Sequence, residues 1–324
     1  MTSSRGEQMK KGELDMEAER RILLIFADGV GIGTDDAARN PFVRTVLPTL
    51  QKLGGGRLPT LPDLRPRSSR GGFVPLDATL GMNGTPQSGT GQASLLTGCN
   101  AARIFGRHFG PWTPVALRPL VEERSLLRRA RDAGHSVAFA NAYPRSWPAP
   151  GGSRRISAPP LAARGAGVLN RHEEALGRRQ AVASGIVNDG WRTHLGHDGL
   201  PEVTAHDAGR TLAAIASEVH LTLYAHYATD TAGHRGGMDG AIRALERFDA
   251  FLGGVLEALP PACTLVVASD HGNVEDVEAQ HTRNPALGAL AGAGWERLAA
   301  RLEGLTDVTP AILDHLASPG GEET

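Results

Sequence analysis

The chain has 324 residues, 40% of them apolar, and a formal net charge of -1, which together allow one large domain or one domain with an insert. The near-zero charge offers no global field for nucleic acid or an acidic membrane surface, and the longest aliphatic runs, such as residues 22–27, are too short to span a bilayer. The two cysteines, Cys99 and Cys263, exclude a disulfide framework and indicate a reduced, cytoplasmic setting.

Apolar runs alternate with helical periodicities along most of the chain. In chain order the patterns predict a strand at 22–27, a short helix at 46–53, a weaker strand at 73–80, a helix starting near Gly91, a helix at 116–133, a strand at 135–142, a helix at 205–217, a strand at 219–226, a helix at 238–258, a strand at 263–269 and a last helix at 309–317. This alternation predicts an α/β protein with a mainly parallel sheet and helices on both faces.

One stretch interrupts this alternation. Residues 143–204 are rich in Pro, Gly and Arg near their start, and we interpret them as a small inserted cap. The core domain then comprises residues 20–142 and 205–318. Residues 1–19 are polar and predict a disordered leader, and residues 319–324 form a tail.

Acidic and imidazole side chains follow two of the apolar strands. Asp28 directly follows the first strand, and Asp270 and His271 directly follow the strand at 263–269. Ligands of such sheets bind at the carboxyl ends of the strands, so these side chains suit a metal site. A dinucleotide fingerprint at Gly29 is a weak alternative, because the glycine spacing is not met and Asp28 would repel a pyrophosphate.

A second group of candidate ligands lies further along the chain. Asp230 and His234 are four residues apart, so one helical turn would point both in the same direction. His281 is a weak signal alone, since a lone loop histidine is usually solvated, but it can complete a set of three ligands with this pair.

A hydroxyl-rich loop supplies the candidate nucleophile. Ser88 lies among small residues directly before a helix-like segment, and a helix N-terminus there would offer backbone N–H groups to a phosphate oxygen. No histidine in the motif activates Ser88, so a metal would have to favour its alkoxide. Thr90 is the competing nucleophile, and a flexible surface loop is the non-functional alternative.

In this order, the motifs resemble those of the alkaline phosphatase superfamily, in particular its branch of cofactor-independent phosphoglycerate mutase and phosphopentomutase. The resemblance covers residues 20–142 and 205–318. The matching motifs are D-G at Asp28-Gly29, S/T-x-x-G-H from Ser88 to Gln92, D-x-x-G-H from Asp230 to His234, D-H-G-N from Asp270 to Asn273, H-T at His281-Thr282 and D-V-x-P-x-I-L from Asp307 to Leu313. Gln92 stands where the family usually has a histidine.

The resemblance implies an alkaline-phosphatase-like fold that binds two divalent cations, Mn²⁺ or Zn²⁺. One cation would be held by Asp230, His234 and His281, and the other by Asp28, Asp270 and His271, with Ser88 forming a phosphoserine. The implied function is a phosphomonoester phosphatase or a phosphomutase acting on a small phosphorylated substrate. A phosphodiesterase or phosphonate hydrolase on the same core, and a non-catalytic metal-binding regulatory protein, are the alternatives.

The sequence of the insert favours one of the two implied functions, phosphatase and phosphomutase, only weakly. It is about sixty residues long, has no lysine and lacks residues that match the mutase's glycerate-binding set, which favours hydrolysis slightly over transfer within one substrate. Arg103, Arg107 and Arg192 are candidate phosphate contacts, because a guanidinium fork matches phosphate oxygens. The alternative for each is an ordinary solvated arginine.

Overall fold

The computed structural model describes residues 20–148 and 155–318, so the predicted leader and tail lie outside the described residues. None of the helices in these two ranges is long and apolar enough to cross a membrane.

A single sheet of seven strands forms the centre of the molecule, in the order β2-β3-β7-β6-β1-β5-β4. The strands are β1 Arg21–Ala27, β2 Arg67–Ser68, β3 Gly71–Leu76, β4 Val137–Phe139, β5 Leu221–His226, β6 Cys263–Ala268 and β7 Ala286–Gly292. β1 pairs in parallel with both β5 and β6, and β4 pairs in parallel with β5. Since β7 is antiparallel to both β6 and β3, five of the seven strands run in one direction, as predicted.

Helices cover both faces of the sheet. They are α1 Pro41–Arg44, α2 Pro48–Leu53, α3 Ser88–Thr97, α4 Ala101–Phe105, α5 Arg118–Arg124, α6 Leu126–Asp132, α7 Ala158–Gly165, α8 Glu173–Gly177, α9 Asp189–Thr193, α10 Ala205–Ser217, α11 Ala228–Arg235, α12 Gly237–Ala258, α13 Trp295–Ala299 and α14 Leu305–Ala317, with a 3₁₀ turn at Val115–Leu117.

The apolar side chains of β1 alternate between two cores. Leu24 and Phe26 point into a core shared with α3, α5, α6, α7 and α14. Leu23 and Ile25 point into the other core, which is shared with α2, α10 and α12. A strand buried on both faces has no polar alternation, which explains why its sequence is a continuous apolar run.

Three predicted helices have different bounds in the structure. The helix expected near Gly91 begins at Ser88, so the candidate nucleophile is its first residue. The helix expected at 116–133 is divided at Ser125, whose hydroxyl accepts a hydrogen bond from Arg128 N and caps the second piece. The last helix begins at Leu305, four residues earlier than predicted, and includes Pro310.

The described part of the interrupted stretch packs against the rest of the molecule in two places. Its helix α7 buries Leu161 and Ala162 in the core that also holds α3. A smaller cluster around Leu176 and Trp191 packs against Ala142, at the end of the segment that follows β4. The structure describes 143–148 and 155–204 of the predicted cap, and a role as a cap over substrate stays a prediction.

Candidate metal centre

The candidate ligands meet at the carboxyl edge of the three central strands. Asp28 follows β1, Asp270 and His271 follow β6, and α11, which carries Asp230, follows β5. Because β1 lies between β5 and β6 in a parallel arrangement, the three strands end side by side. The neighbouring loop before β7 brings His281 to the same place.

Asp28, Asp270 and His271 form a buried group that we call the inner cluster. One ligand atom from each lies within 4.8 Å of the others. His271 Nε2 is 3.4 Å from Asp28 Oδ1 and 3.7 Å from Asp270 Oδ2. The same nitrogen is 2.9 Å from Ser88 Oγ, so the candidate nucleophile touches this cluster directly.

Asp230, His234 and His281 form a second group, the outer cluster. Asp230 Oδ1 is 3.5 Å from His234 Nε2 and 3.7 Å from His281 Nε2, and the two imidazole nitrogens are 3.0 Å apart. The His234 side chain is 28% exposed, whereas that of His271 is fully buried. The pair of clusters therefore opens to solvent on the outer side.

His271 belongs geometrically to both clusters. Its ring stacks on that of His281 at a centroid distance of 4.0 Å. Ligand atoms of Asp230, His271 and His281 also lie within 4.8 Å of one another. The sequence placed His271 with the inner ligands, and the structure adds that it lies where the two groups join.

Each of the three imidazoles is oriented by an acceptor at its other nitrogen. Nδ1 of His281 lies 3.0 Å from Pro86 O, Nδ1 of His234 lies 2.8 Å from Gln280 Oε1, and Nδ1 of His271 lies 3.2 Å from Gly272 O. An Nδ1–H that donates to oxygen leaves the Nε2 lone pair directed at the cluster, as in metal-binding histidines.

The inner carboxylates lie close together and are only partly hydrogen-bonded. Asp270 Oδ2 and Asp28 Oδ1 are buried without a partner at hydrogen-bond geometry, which is costly for ionised groups. Burial, and then the charge of Asp270, raises the pKa of Asp28 well above its usual range. Burial would lower the pKa of His271, but the carboxylates of Asp270 and Asp28 raise it to about 10. Orphaned carboxylate oxygens beside directed imidazole lone pairs fit a divalent cation.

Close packing around the ligands depends on two glycines. A Cβ on Gly29, which has a φ of +67°, would lie 2.5 Å from Asp230 Oδ1. A Cβ on Gly91 would lie 2.9 Å from Asp270 O. Such contacts are too short for a side chain, so glycine allows both the loop after β1 and helix α3 to reach the ligands.

The structure distinguishes between Ser88 and Thr90, the two candidate nucleophiles of the sequence analysis. Ser88 is 2% exposed and is the first residue of α3, directed at His271. Thr90 Oγ1 lies 3.3 Å from Gln87 O and 3.4 Å from Phe109 O, and it contacts the loop that covers the helix. The structure therefore places Ser88, and not Thr90, against the inner cluster.

None of the recorded contacts of the three predicted phosphate-binding arginines reaches either cluster. Arg192 Nη1 forms an ion pair with Glu202 Oε1 at 2.7 Å. Arg107 lies over the rings of Phe105 and Phe109, at 5.8 and 5.9 Å from their centroids. Arg103 is exposed in α4. Their roles in substrate binding stay predictions.

Sequence reasoning missed Glu275, a buried carboxylate that joins the ligand-bearing loops. Its Oε2 accepts hydrogen bonds from Gly31 N at 3.0 Å and Asn273 N at 2.7 Å. Its Oε1 accepts from Thr282 Oγ1 at 2.5 Å and Asn284 Nδ2 at 3.1 Å. Glu275 is only 1% exposed, but its two carboxylate oxygens accept four hydrogen bonds, so the buried group is not left without partners. Glu275 therefore links the loop after β1 to the β6–β7 connection, which carries His281.

Asn273, the last residue of the D-H-G-N motif, also orients a candidate ligand of the outer cluster. Its Nδ2 lies 2.7 Å from Asp230 Oδ1 and 3.1 Å from Asp230 O. A Cβ on Gly233 would lie 2.6 Å from this amide, so glycine at that position of α11 admits the contact.

Comparisons with known proteins agree with this geometry. The family described as Metalloenzyme superfamily matches residues 197–319. The 2,3-bisphosphoglycerate-independent phosphoglycerate mutase of Desulforudis audaxviator is 34% identical over 131 residues, which cover 38% of this chain and 26% of that protein. This chain thus matches about a quarter of the length of that curated relative.

Two solved structures have a similar fold over nearly the whole chain. The PH0037 protein from Pyrococcus horikoshii has a TM-score of 0.56 at 14% identity, with 94% of this chain and 98% of that chain covered. The alkaline phosphatase from the Antarctic bacterium TAB5 has a TM-score of 0.52 at 11% identity, with 92% and 97% covered.

The structure thus combines an α/β fold with two groups of residues that could hold divalent cations. Residues 197–319 match the Metalloenzyme superfamily model, and the fold of most of the chain is similar to that of a solved alkaline phosphatase.

Divalent cations should stabilise the folded protein. Binding to the inner cluster relieves the repulsion between Asp28 and Asp270, so Mn²⁺ or Zn²⁺ at about 100 times its Kd for that cluster should add about 2.7 kcal/mol to the free energy of unfolding. Thermal denaturation with and without the metal, after chelation, measures this gain. Asp270→Asn should lose most of the metal-dependent gain, and an undiminished gain in that variant would contradict the assignment.

Removal of Glu275 should destabilise the metal centre and the fold together. Glu275→Ala leaves the buried N–H groups of Gly31 and Asn273 without an acceptor, and each costs about 1–3 kcal/mol. Glu275→Gln should retain most of the stability, because its amide oxygen can still accept from both. Glu278→Ala is the matched control, since that exposed carboxylate pairs only with Arg39 among the contacts that the structure records. Urea denaturation with equal losses for both alanine variants would refute the role of Glu275.

Proposed function

We propose that the chain is a metal-dependent phosphoryl-transfer enzyme that uses Ser88 as its nucleophile on a small phosphomonoester. The observation that carries the proposal is the position of Ser88 Oγ, 2.9 Å from His271 Nε2 at the junction of the two clusters. Ser88 is the first residue of α3, and its hydroxyl faces the candidate metal ligands. A nucleophile that is activated by a metal needs this position.

We expect each of the two clusters to bind one cation. Asp28, Asp270 and His271 would hold one cation, and the outer cluster of Asp230, His234 and His281 would hold the other. Mn²⁺ and Zn²⁺ both suit these carboxylate and imidazole donors. When bound, two such cations neutralise charge on the attacking and leaving oxygens of a phosphoryl group.

Helix α3 contributes a further element of anion binding. Its first-turn N–H groups and its dipole favour a negative charge near Ser88. The same geometry lowers the cost of an alkoxide on Ser88. We expect the phosphate oxygens to lie between this helix terminus and the clusters.

The chemical step is an in-line displacement. Ser88 gives up its hydroxyl proton to solvent and its Oγ forms a bond to phosphorus while the phosphorus–oxygen bond to the substrate alcohol breaks. The alcohol leaves with a proton from water. The resulting phosphoserine is opened by water in a phosphatase, or by a second hydroxyl of the retained product in a mutase.

We infer hydrolysis as the main outcome. The outer cluster is partly exposed, which gives water a route to the phosphoserine. Transfer within one substrate is the second candidate, because the curated relative is named a phosphoglycerate mutase. A mutase must retain its product, and this chain matches about a quarter of that relative's length.

Ser88→Ala should abolish turnover while the protein stays folded and metal-loaded. We expect a loss in kcat of roughly 1,000-fold or more, the scale seen when other nucleophiles are removed. The measurement is phosphate release from aryl phosphate monoesters with Mn²⁺ or Zn²⁺. Ser94→Ala is the control, because that buried hydroxyl on the same helix donates to Thr90 O at 2.8 Å and faces no ligand.

Three outcomes of this assay separate the alternatives. Undiminished turnover by Ser88→Ala rejects the nucleophile. A wild-type protein that cleaves diesters or phosphonates but not monoesters rejects the substrate class. Tight metal binding without turnover of any of these esters supports a regulatory metal-binding protein.

A further inference from the structure

Gln92 occupies a position between the metal ligands and the interrupted stretch of the chain. It lies one turn after Ser88 on α3 and is 1% exposed. Its Nε2 donates to Asp28 Oδ2 at 3.1 Å, and its Oε1 accepts from Ala158 N at 3.2 Å. One amide thus connects an inner ligand to the first residue of α7.

The orientation of this amide is fixed by its partners. The Ala158 N–H can only donate, so Gln92 must present its oxygen to it. The Asp28 carboxylate accepts, so the amide nitrogen must face it. Donation to Oδ2 leaves Oδ1 as the free oxygen of Asp28, and Oδ1 is the atom that lies 3.4 Å from His271 Nε2.

The partner of Gln92 is itself held in place by independent contacts. We call residues 155–158 the return segment. Ser157 Oγ lies 3.1 Å from Tyr227 OH, and Ile156 and Ala158 are buried in the core with α3. A change at residue 92 therefore does not release the segment, and the two effects can be measured separately.

We infer that Gln92 is a positioning residue through which the return segment sets the orientation of Asp28 for its cation. The inference rests on the proposed two-cation site and deepens it. Gln92 is an uncharged amide whose second hydrogen bond leads to the backbone of the interrupted stretch. The position of that stretch is thereby coupled to the affinity of the inner cluster for metal.

The test is a Mn²⁺ titration by calorimetry in a His234→Ala background, which removes one outer ligand so that the inner cluster dominates. Gln92→Leu keeps a similar volume but cannot donate, and we expect the Mn²⁺ affinity to fall about 10- to 100-fold, as for other partners of metal ligands. Thr97→Val is the matched control, since this buried hydroxyl of α3 donates to Ala93 O and should leave the affinity unchanged.

A change outside the ligand set tests the coupling itself. Ala158→Pro is placed at the first position of α7, where proline is tolerated, and Ser157 before it is already extended. It removes the N–H and puts a ring carbon against Gln92 Oε1. We expect a loss of affinity similar to that of Gln92→Leu, and a double variant no weaker than Gln92→Leu alone.

The outcomes are decisive in each direction. Two Mn²⁺ ions bound by the wild-type protein, together with unchanged affinity in Gln92→Leu, would overturn this inference and leave the proposed function standing. Additive losses in the double variant would overturn the coupling through Gln92. A wild-type protein that binds no Mn²⁺ would overturn the proposed function as well.

Discussion

The repulsion between two buried carboxylates is the constraint around which the candidate metal centre is arranged. Asp28 and Asp270 end adjacent strands at the centre of the sheet, and an oxygen of each is left without a hydrogen-bond partner. A globular protein rarely tolerates such a pair unless a cation completes it. His271 Nε2 lies 3.4 Å from Asp28 Oδ1 and 3.7 Å from Asp270 Oδ2, and the outer histidines offer neutral nitrogen donors to a cation.

The shell around the ligands consists of groups that donate without adding charge. The amides of Gln92 and Asn273 contact Asp28 and Asp230, and Gly29 N donates to Asp270 Oδ1 at 3.3 Å. Neutral donors fix the direction of a carboxylate and leave its charge for the metal. A cationic donor such as arginine would compete with the cation for the same charge.

The ligands themselves could be predicted from sequence because their positions follow from local rules. Asp28 and Asp270 come directly after apolar runs, and Asp230 and His234 are spaced by one helical turn that the structure shows as α11. His281 had no local signal of its own. It was predicted only as a complement to that pair, and its contact with them depends on the loop before β7.

Other parts could not be predicted because their causes are tertiary. Glu275 is an acidic residue in a polar loop, and its role arises from three donors of its own loop that fold back onto it and from Gly31, which is distant in sequence. β7 is built from alanine, glycine and leucine, which lack the β-branched and aromatic residues typical of strands. Helix α7 lies in a stretch whose Pro and Gly content suggested a separate cap, yet its apolar side joins the main core.

The asymmetry between the two clusters bears on the fate of a phosphoserine. On the inner side Gln92 joins Asp28 to the return segment, whereas on the outer side His234 is partly exposed, so we expect a substrate to approach across the outer cluster. A product alcohol that leaves by this route exchanges places with water. Retention of the alcohol would need groups that hold it on the solvent side, and the recorded contacts of Arg107 and Arg192 are made elsewhere. Within the proposed function, the openness of the outer cluster therefore supports hydrolysis over return of the phosphoryl group to the same substrate.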